Sequence, residues 1–254
     1  MDWTQYAALV GAGFAAGLTG SIAGLASLFS YPALLAFGLP PVSANVTNTL
    51  AMFATTVGSA SSSRLELRGQ GRRLLFLTSL AGIGGAIGAA ILLTTPDDVF
   101  ESVVPFLIAL GSVLLLARNP LRRAADRRAA KRPAARVSPA FVLAVISVGV
   151  YGGYFGAGAG IIMLSVLSLA AVEPLAVTNA VKNVVTGGAN LVAAVAYVFV
   201  APVHWVAAGT LAVGLVIGSW IGPAVVRRVP ATPLRVAIAL AGLGLAVHLW
   251  LGRA

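Results

Sequence analysis

The sequence predicts an all-α polytopic membrane protein built from two inverted-topology repeats. Three observations carry that prediction. The 254 residues are 59% hydrophobic and 9% charged, whereas soluble domains carry about 25% charge. A chain this apolar cannot cover itself with polar surface, so lipid must be its solvent. The apolar residues fall in runs at 4–37, 41–63, 74–95, 99–117, 138–171, 174–200, 203–226 and 232–251, separated by short polar breaks. The longest runs, 4–37 and 138–171, open the two halves and carry glycines in their middle: Gly11–Ser27 reads GAGFAAGLTGSIAGLAS and Val148–Gly160 reads VGVYGGYFGAGAG.

A helix rises about 1.5 Å per residue and needs about 20 residues to cross about 30 Å of hydrocarbon. The six shorter runs fit one crossing each. A straight helix over 4–37 or 138–171 would reach on the order of 50 Å. Each is therefore a steeply tilted, broken span or a re-entrant hairpin that returns to its starting side. Charge separates the two. If both long runs cross, the loop holding Arg227, Arg228 and Arg235 falls on the side opposite the basic loop Arg64–Arg73 and shares it with Asp97, Asp98 and Glu101. If both are hairpins, all the basic loops share one face, and Asp2, the acidic loop, His204 and Arg253 share the other, as the positive-inside rule expects.

The hairpin arrangement gives about eight membrane segments. Each repeat is then a broken, glycine-rich helical hairpin followed by three transmembrane helices. Residues 1–117 form the first repeat, 118–137 a basic cytoplasmic linker and 138–254 the second repeat. The protein is expected in the cell membrane, with both termini external. The start MDWTQYAALVG has no basic n-region and is read as the first membrane element. The linker is read as a solvated tether, because Pro120, Pro133 and Pro139 would fragment a helix; its Ala/Arg content also allows a surface helix on anionic headgroups. The repeat is visible but faint. Ala23–Ser27 aligns with Gly156–Gly160 and Pro41 with Pro174, and a small indel brings Thr47-Asn48 onto Thr178-Asn179. Trp3, Trp205 and Trp250 lie at run ends, as aromatic belt residues do.

Several chemistries are excluded. There is no cysteine, hence no disulfide, thiolate metal site or thiol relay. The net charge of +10 sits in loops without an aromatic-rich basic platform, so it reads as membrane orientation and not nucleic-acid binding. Neither a Ser-His-Asp set nor metal-ligand spacing occurs. The glycines at 156, 158 and 160 do not follow a strand in a βαβ unit, so they are no dinucleotide loop. No enzyme activity, cofactor or metal is expected. No Asp or Glu lies deep in an apolar run, so ion coupling would have to use hydroxyls, amides and backbone carbonyls, or the substrate's own protonation.

The residues left for chemistry cluster in the same two places in each half. Glycine lets the backbone turn sharply and approach a ligand, and a half-helix starting at such a break presents unpaired N–H groups and a positive dipole end. Gly20, Ser21 and Gly24 in the first break, with Gly156, Gly158 and Gly160 in the second, would make an anion site; tight helix packing is the alternative. Lys182 is the one charged residue well inside an apolar run. Its insertion costs on the order of 2.5–3.5 kcal/mol, which an anion would relieve; the alternative is snorkelling to the headgroups. Asn179, Lys182, Asn183, Thr186 and Asn190 share a helical face. Asn45, Asn48, Thr49 and Thr56 make a similar stripe, interrupted by Met52. Amides and hydroxyls bind oxyanions without needing a charge, and interhelical bonding is the alternative. The paired Thr47 and Thr178 complete the substrate-binding set. Its partners would be a small anion and membrane lipid, with a homodimer as a further expectation.

These features together resemble the sulfite exporter TauE/SafE family. The stretches that carry the resemblance are Gly20–Pro32 with Leu39-Pro40-Pro41 and Ala44–Thr49, and Gly152–Gly160 with Pro174 and Ala176–Asn179. The sequence departs from the family's fuller glycine run at Ala23, Leu25, Ala26 and Ser27. The resemblance implies movement of small sulfur-containing or organic anions, such as sulfite or sulfoacetate. The expectation is a secondary transporter working by alternating access. Its competitors are a passive anion pore with the same fold and a membrane scaffold.

Overall fold

A computed structural model describes residues 3–130, 138–170, 173–226 and 231–251. Among these every regular element is a helix: α1 (Trp3–Ala23), α2 (Ser27–Ala36), α3 (Pro41–Ser62), α4 (Arg64–Leu67), α5 (Gly71–Thr94), α6 (Asp97–Ala130), α7 (Pro139–Tyr154), α8 (Ala159–Ala170), α9 (Leu175–Val200), α10 (Trp205–Val226) and α11 (Ala231–Leu251). Four of these contain stretches long and apolar enough to cross a membrane: Gly71–Thr94, Asp97–Ala117, Leu175–Val200 and Trp205–Gly222. Shorter apolar helices fill the places of the predicted hairpin arms, at Ser27–Ala36, Pro139–Tyr154 and Ala159–Ala170. Side chains such as Ile83, Ile87 and Ile91 stay exposed along one face of α5, as a lipid-facing stripe would.

Both long runs break where their glycines lie. α1 ends at Ala23 and α7 at Tyr154, and the next helix begins within a few residues. Proline marks the restarts: Pro41 opens α3, Pro139 opens α7 behind a Ser138 cap, and Pro174 precedes α9. A proline fits there because the first N–H groups of a helix have no intrahelical partner to lose.

The packing exchanges partners between the halves. α1 lies on α10, where a Cβ on Gly13 would strike Leu211 O, one on Gly17 Leu215 O, and one on Gly214 Val10 O. α7 lies on α5, where Gly84 meets Ile146 O and Gly88 meets Val150 O. At both crossings only glycine lets the backbones approach this closely. The contacts also give direction. Residue numbers rise together along α1 and α10, and along α5 and α7. α3 runs with α10 as well, since Ser43 donates to Pro202 O, His204 N donates to Thr47 Oγ1, and Gly58 meets Val216 O. Likewise α9 runs with α5, from the Arg73–Glu173 ion pair at 2.6 Å to Gly85 against Ala189 O. Because α1 and α3 run the same way, α2 and the following loop must carry the chain back. The same holds for α7, α8 and α9. α3 and α9 oppose each other: Ser43 reaches Pro202 just past the end of α9, and Thr56 packs on Gly187 within it.

These directions put the ends of α3 and α10 and the starts of α5 and α9 at one end of the molecule, with Arg64, Arg72 and Arg73. α4 with Arg64 follows α3, and α10 ends beside that point; Arg227 and Arg228 come next, outside the described residues. Asp97, Asp98 and the start of α10 at Trp205 lie at the other end. The linker differs from expectation. α6 continues through Pro120 to Ala130, so 118–130 is helix and not an extended tether; 131–137, including Pro133, lie outside the described residues. A proline removes one intrahelical bond, but alanine and arginine are among the best helix formers and carry the last turns past it.

Candidate functional site

The two breaks meet at the centre. Gly24 turns with φ +75, and a Cβ there would lie 2.5 Å from Gly160 Cα, so only glycine allows this contact between the hairpin tips. The second break turns at Gly156 and Gly158, with φ +79 and +80. Between the tips lies a cavity of about 50 Å³, several times the space one buried water needs. Its wall is built from all four broken or polar elements: Gly20 and Gly24 from the first break, Gly156 and Gly160 from the second, Asn48 and Thr49 from α3, and Lys182, Asn183, Thr186 and Asn190 from α9.

Lys182 does not snorkel. It is 1% exposed, and its Nζ donates to Gly20 O at 3.4 Å, at the C-terminal end of α1. The end of a helix carries partial negative charge, so a cation is favoured there by up to about 2 kcal/mol in partly buried settings. Burying an ammonium costs several kcal/mol. The Gly20 carbonyl recovers part of that, and the side chain lines the cavity. Beside it, Asn179 Nδ2 and Asn183 Nδ2 both donate to Ser21 O, at 2.8 and 3.2 Å.

The other tip is held in the same way. Asn45 Nδ2 donates to Tyr154 O at 2.9 Å, and the Tyr197 hydroxyl donates to Gly153 O. By role, Asn45 therefore matches Asn179, which puts Asn48, three residues on, at the position of Lys182. This differs from the register that placed Thr47-Asn48 on Thr178-Asn179, because helical geometry and not dipeptide identity fixes which side chain reaches the break. Asn48 donates through Nδ2 to Ser27 Oγ at 3.3 Å. The carboxamide oxygens of Asn45, Asn48 and Asn179 are buried and accept no hydrogen bond.

Of the predicted binding residues, Gly20, Gly24, Asn48, Gly156, Gly160, Lys182 and Asn183 line the cavity. The others lie behind its wall. Ser21 offers its carbonyl to α9 while its hydroxyl bonds Leu18 O. Asn45 and Asn179 hold the tips. Gly158 packs on Gly111. Thr47 accepts from His204 N, and Thr178 is buried on α9. Sequence reasoning missed Ser27 and Phe155, which line the cavity, and Tyr197, which holds Gly153. Ser27 stood in plain view as a hydroxyl inside the first glycine tract; the aromatic residues look like ordinary apolar filling.

A protein of a Sinorhizobium species, described as the probable membrane transporter protein ORF9, is 28% identical over 245 residues, covering 94% of this chain and 89% of its own. One from Haemophilus influenzae, described as a probable membrane transporter protein, is 28% identical over 235 residues, covering 88% of this chain and 86% of its own. No solved structure matches significantly. The model of the sulfite exporter TauE/SafE family matches residues 9–249, nearly the whole described chain, and with it the paired broken helices find their setting: the protein belongs to the sulfite exporter TauE/SafE family of membrane transporters.

Proposed function

We propose that the protein is a secondary transporter of small anions, of the sulfite, organosulfonate or related organic-acid class, and that it works by alternating access between two inverted halves. The observation that carries this is Lys182, a buried ammonium facing a polar cavity between two broken helices. Broken helices meeting between inverted repeats are a recurring carrier plan. In this reading Lys182 compensates the anion's charge, the carboxamides of Asn183 and Asn190 donate to its oxygens, and the Gly160 amide at the start of α8 adds a backbone N–H group. The opposed directions of α3 and α9 support the inverted repeat, with both glycine runs as hairpins and about eight membrane segments. The basic end of the molecule is then cytoplasmic and both termini external, in the cell membrane.

Uptake into proteoliposomes tests this. Lys182→Gln keeps a donor for Gly20 O and removes only the charge, so it should abolish sulfite and sulfonate flux with the fold intact. Undiminished flux would remove Lys182 from the mechanism. Counterflow tests the carrier itself: internal substrate should accelerate uptake, whereas a passive pore shows no such stimulation.

A further inference from the structure

The two hairpin tips are alike in backbone and unlike in charge. At the end of α1, Lys182 Nζ lies against Gly20 O. At the end of α7, the matching position on α3 is Asn48, and the carbonyls of Gly153 and Tyr154 receive only neutral donors, Tyr197 and Asn45. Both helix ends carry the same partial negative charge, yet only one is met by a built-in cation. In place of that cation stand two carboxamide oxygens of α3 that accept no hydrogen bond, beside a hydroxyl at the start of α2. Asn45 and Asn48 are 0% and 1% exposed, and the Oδ1 of each is buried and accepts no hydrogen bond. Ser27 Oγ, which receives Asn48 Nδ2, keeps a further lone pair. Asn179 Oδ1 also lacks a donor, but on the side where Lys182 already supplies the charge.

We infer that the tip of α7 binds a monovalent alkali cation through Asn45 Oδ1, Asn48 Oδ1 and Ser27 Oγ, beside the C-terminal carbonyls of α7. Hard cations take oxygen ligands, and helix C-terminal ends with unwound carbonyls coordinate sodium in other carrier plans. The donor set contains no carboxylate, and among the described residues His, Cys, Asp and Glu nowhere gather as a metal-binding group. That chemistry suits a singly charged ion and not a divalent one. Asn48 and Lys182 line the same cavity. The ion and the ammonium would thus flank it as an exchangeable and a fixed positive charge. Binding of the ion stands on these oxygens alone; its coupling to anion movement rests on the transport reading above.

The experiment is thermal unfolding of the purified protein in detergent, in NaCl against KCl and choline chloride at equal chloride, with no oxyanion added. A ligand that binds only the folded state raises its apparent stability. The expected result is a saturable shift with sodium that choline does not give. Asn48→Lys builds in the missing ammonium and should be insensitive to sodium. Asn48→Asp, which adds a charged oxygen, should reach half its shift at several-fold lower sodium; it also serves should the lysine variant not fold. A wild-type response no different in sodium and choline would overturn the site, as would an Asn48→Asp response unchanged from wild type. Sulfite added in the same assay separates the two readings. A Lys182-dependent sulfite shift without any sodium shift removes the cation site alone. A sodium shift without any sulfite response upholds the cation site and removes the anion reading.

Discussion

Replacing Gly24 by alanine tests whether the two hairpin tips touch, and Gly38 provides the control. Both residues have a positive φ, +75 and +80. A side chain in that region costs roughly 1–2 kcal/mol at either position. The gain from a less flexible unfolded chain, about 0.4–1 kcal/mol, is also common to both. Their surroundings differ. A Cβ at Gly24 would lie 2.5 Å from Gly160 Cα and 2.7 Å from its carbonyl carbon, whereas at Gly38 nothing stands within 4 Å. The obstruction at Gly24 is backbone, which cannot swing aside as a side chain would, so an overpacking cost of about 1–3 kcal/mol is added there. Gly24→Ala should therefore be less stable than Gly38→Ala by that amount. The assay is reversible unfolding in mixed micelles as denaturing detergent is titrated, followed by circular dichroism. Gly24→Ala should also slow anion uptake, because separating the tips reshapes the cavity. Equal stability of the two variants would show that the tips do not meet as described.

Three further outcomes are expected. Asn45→Ala strips the buried Tyr154 O of its side-chain donor and should cost about 1–3 kcal/mol in the same titration, whereas Asn179→Ala leaves Asn183 on Ser21 O and should cost about 0.5–1.5 kcal/mol; a larger loss from Asn179→Ala than from Asn45→Ala would refute this account of how the tips are held. Tyr197→Phe removes one hydrogen bond to Gly153 with little change in shape and should cost about 0.5–1.5 kcal/mol. The Arg73–Glu173 pair is about a quarter exposed, so a double-mutant cycle should give a coupling of only about 0.2–1 kcal/mol, weakening as salt is raised.

Much of the molecule was legible in the sequence because the bilayer reduces the problem. Lipid offers no hydrogen bonds, so an apolar run of sufficient length has to be helix, and runs too long to cross had to break at their glycines. The charge pattern likewise anticipated that Arg64 and Arg73 lie at the end opposite Asp97 and Asp98. Lys182 stood out because a charge inside an apolar run needs a reason. What could not be read was the partner of each polar side chain. Asn179 and Asn183 read as ligand donors from their helical face, but that their amides also reach Ser21 O could not be read, since the stripe on a helix shows which face is polar and not what the facing helix offers. Residues 118–130 were expected as a tether on the strength of Pro120, but one proline near a helix end removes one bond, and the surrounding residues favour helix enough to continue past it.

The crossing of α1 onto α10 and of α7 onto α5 has a consequence for assembly. Neither half owns a complete wall for its own hairpin; each is clasped by a helix the other half supplies. A chain cut within 131–137 should still assemble when both pieces are made together, and each piece made alone should be cleared by the cell. A fold of this kind behaves as an obligate pair that happens to be covalently joined.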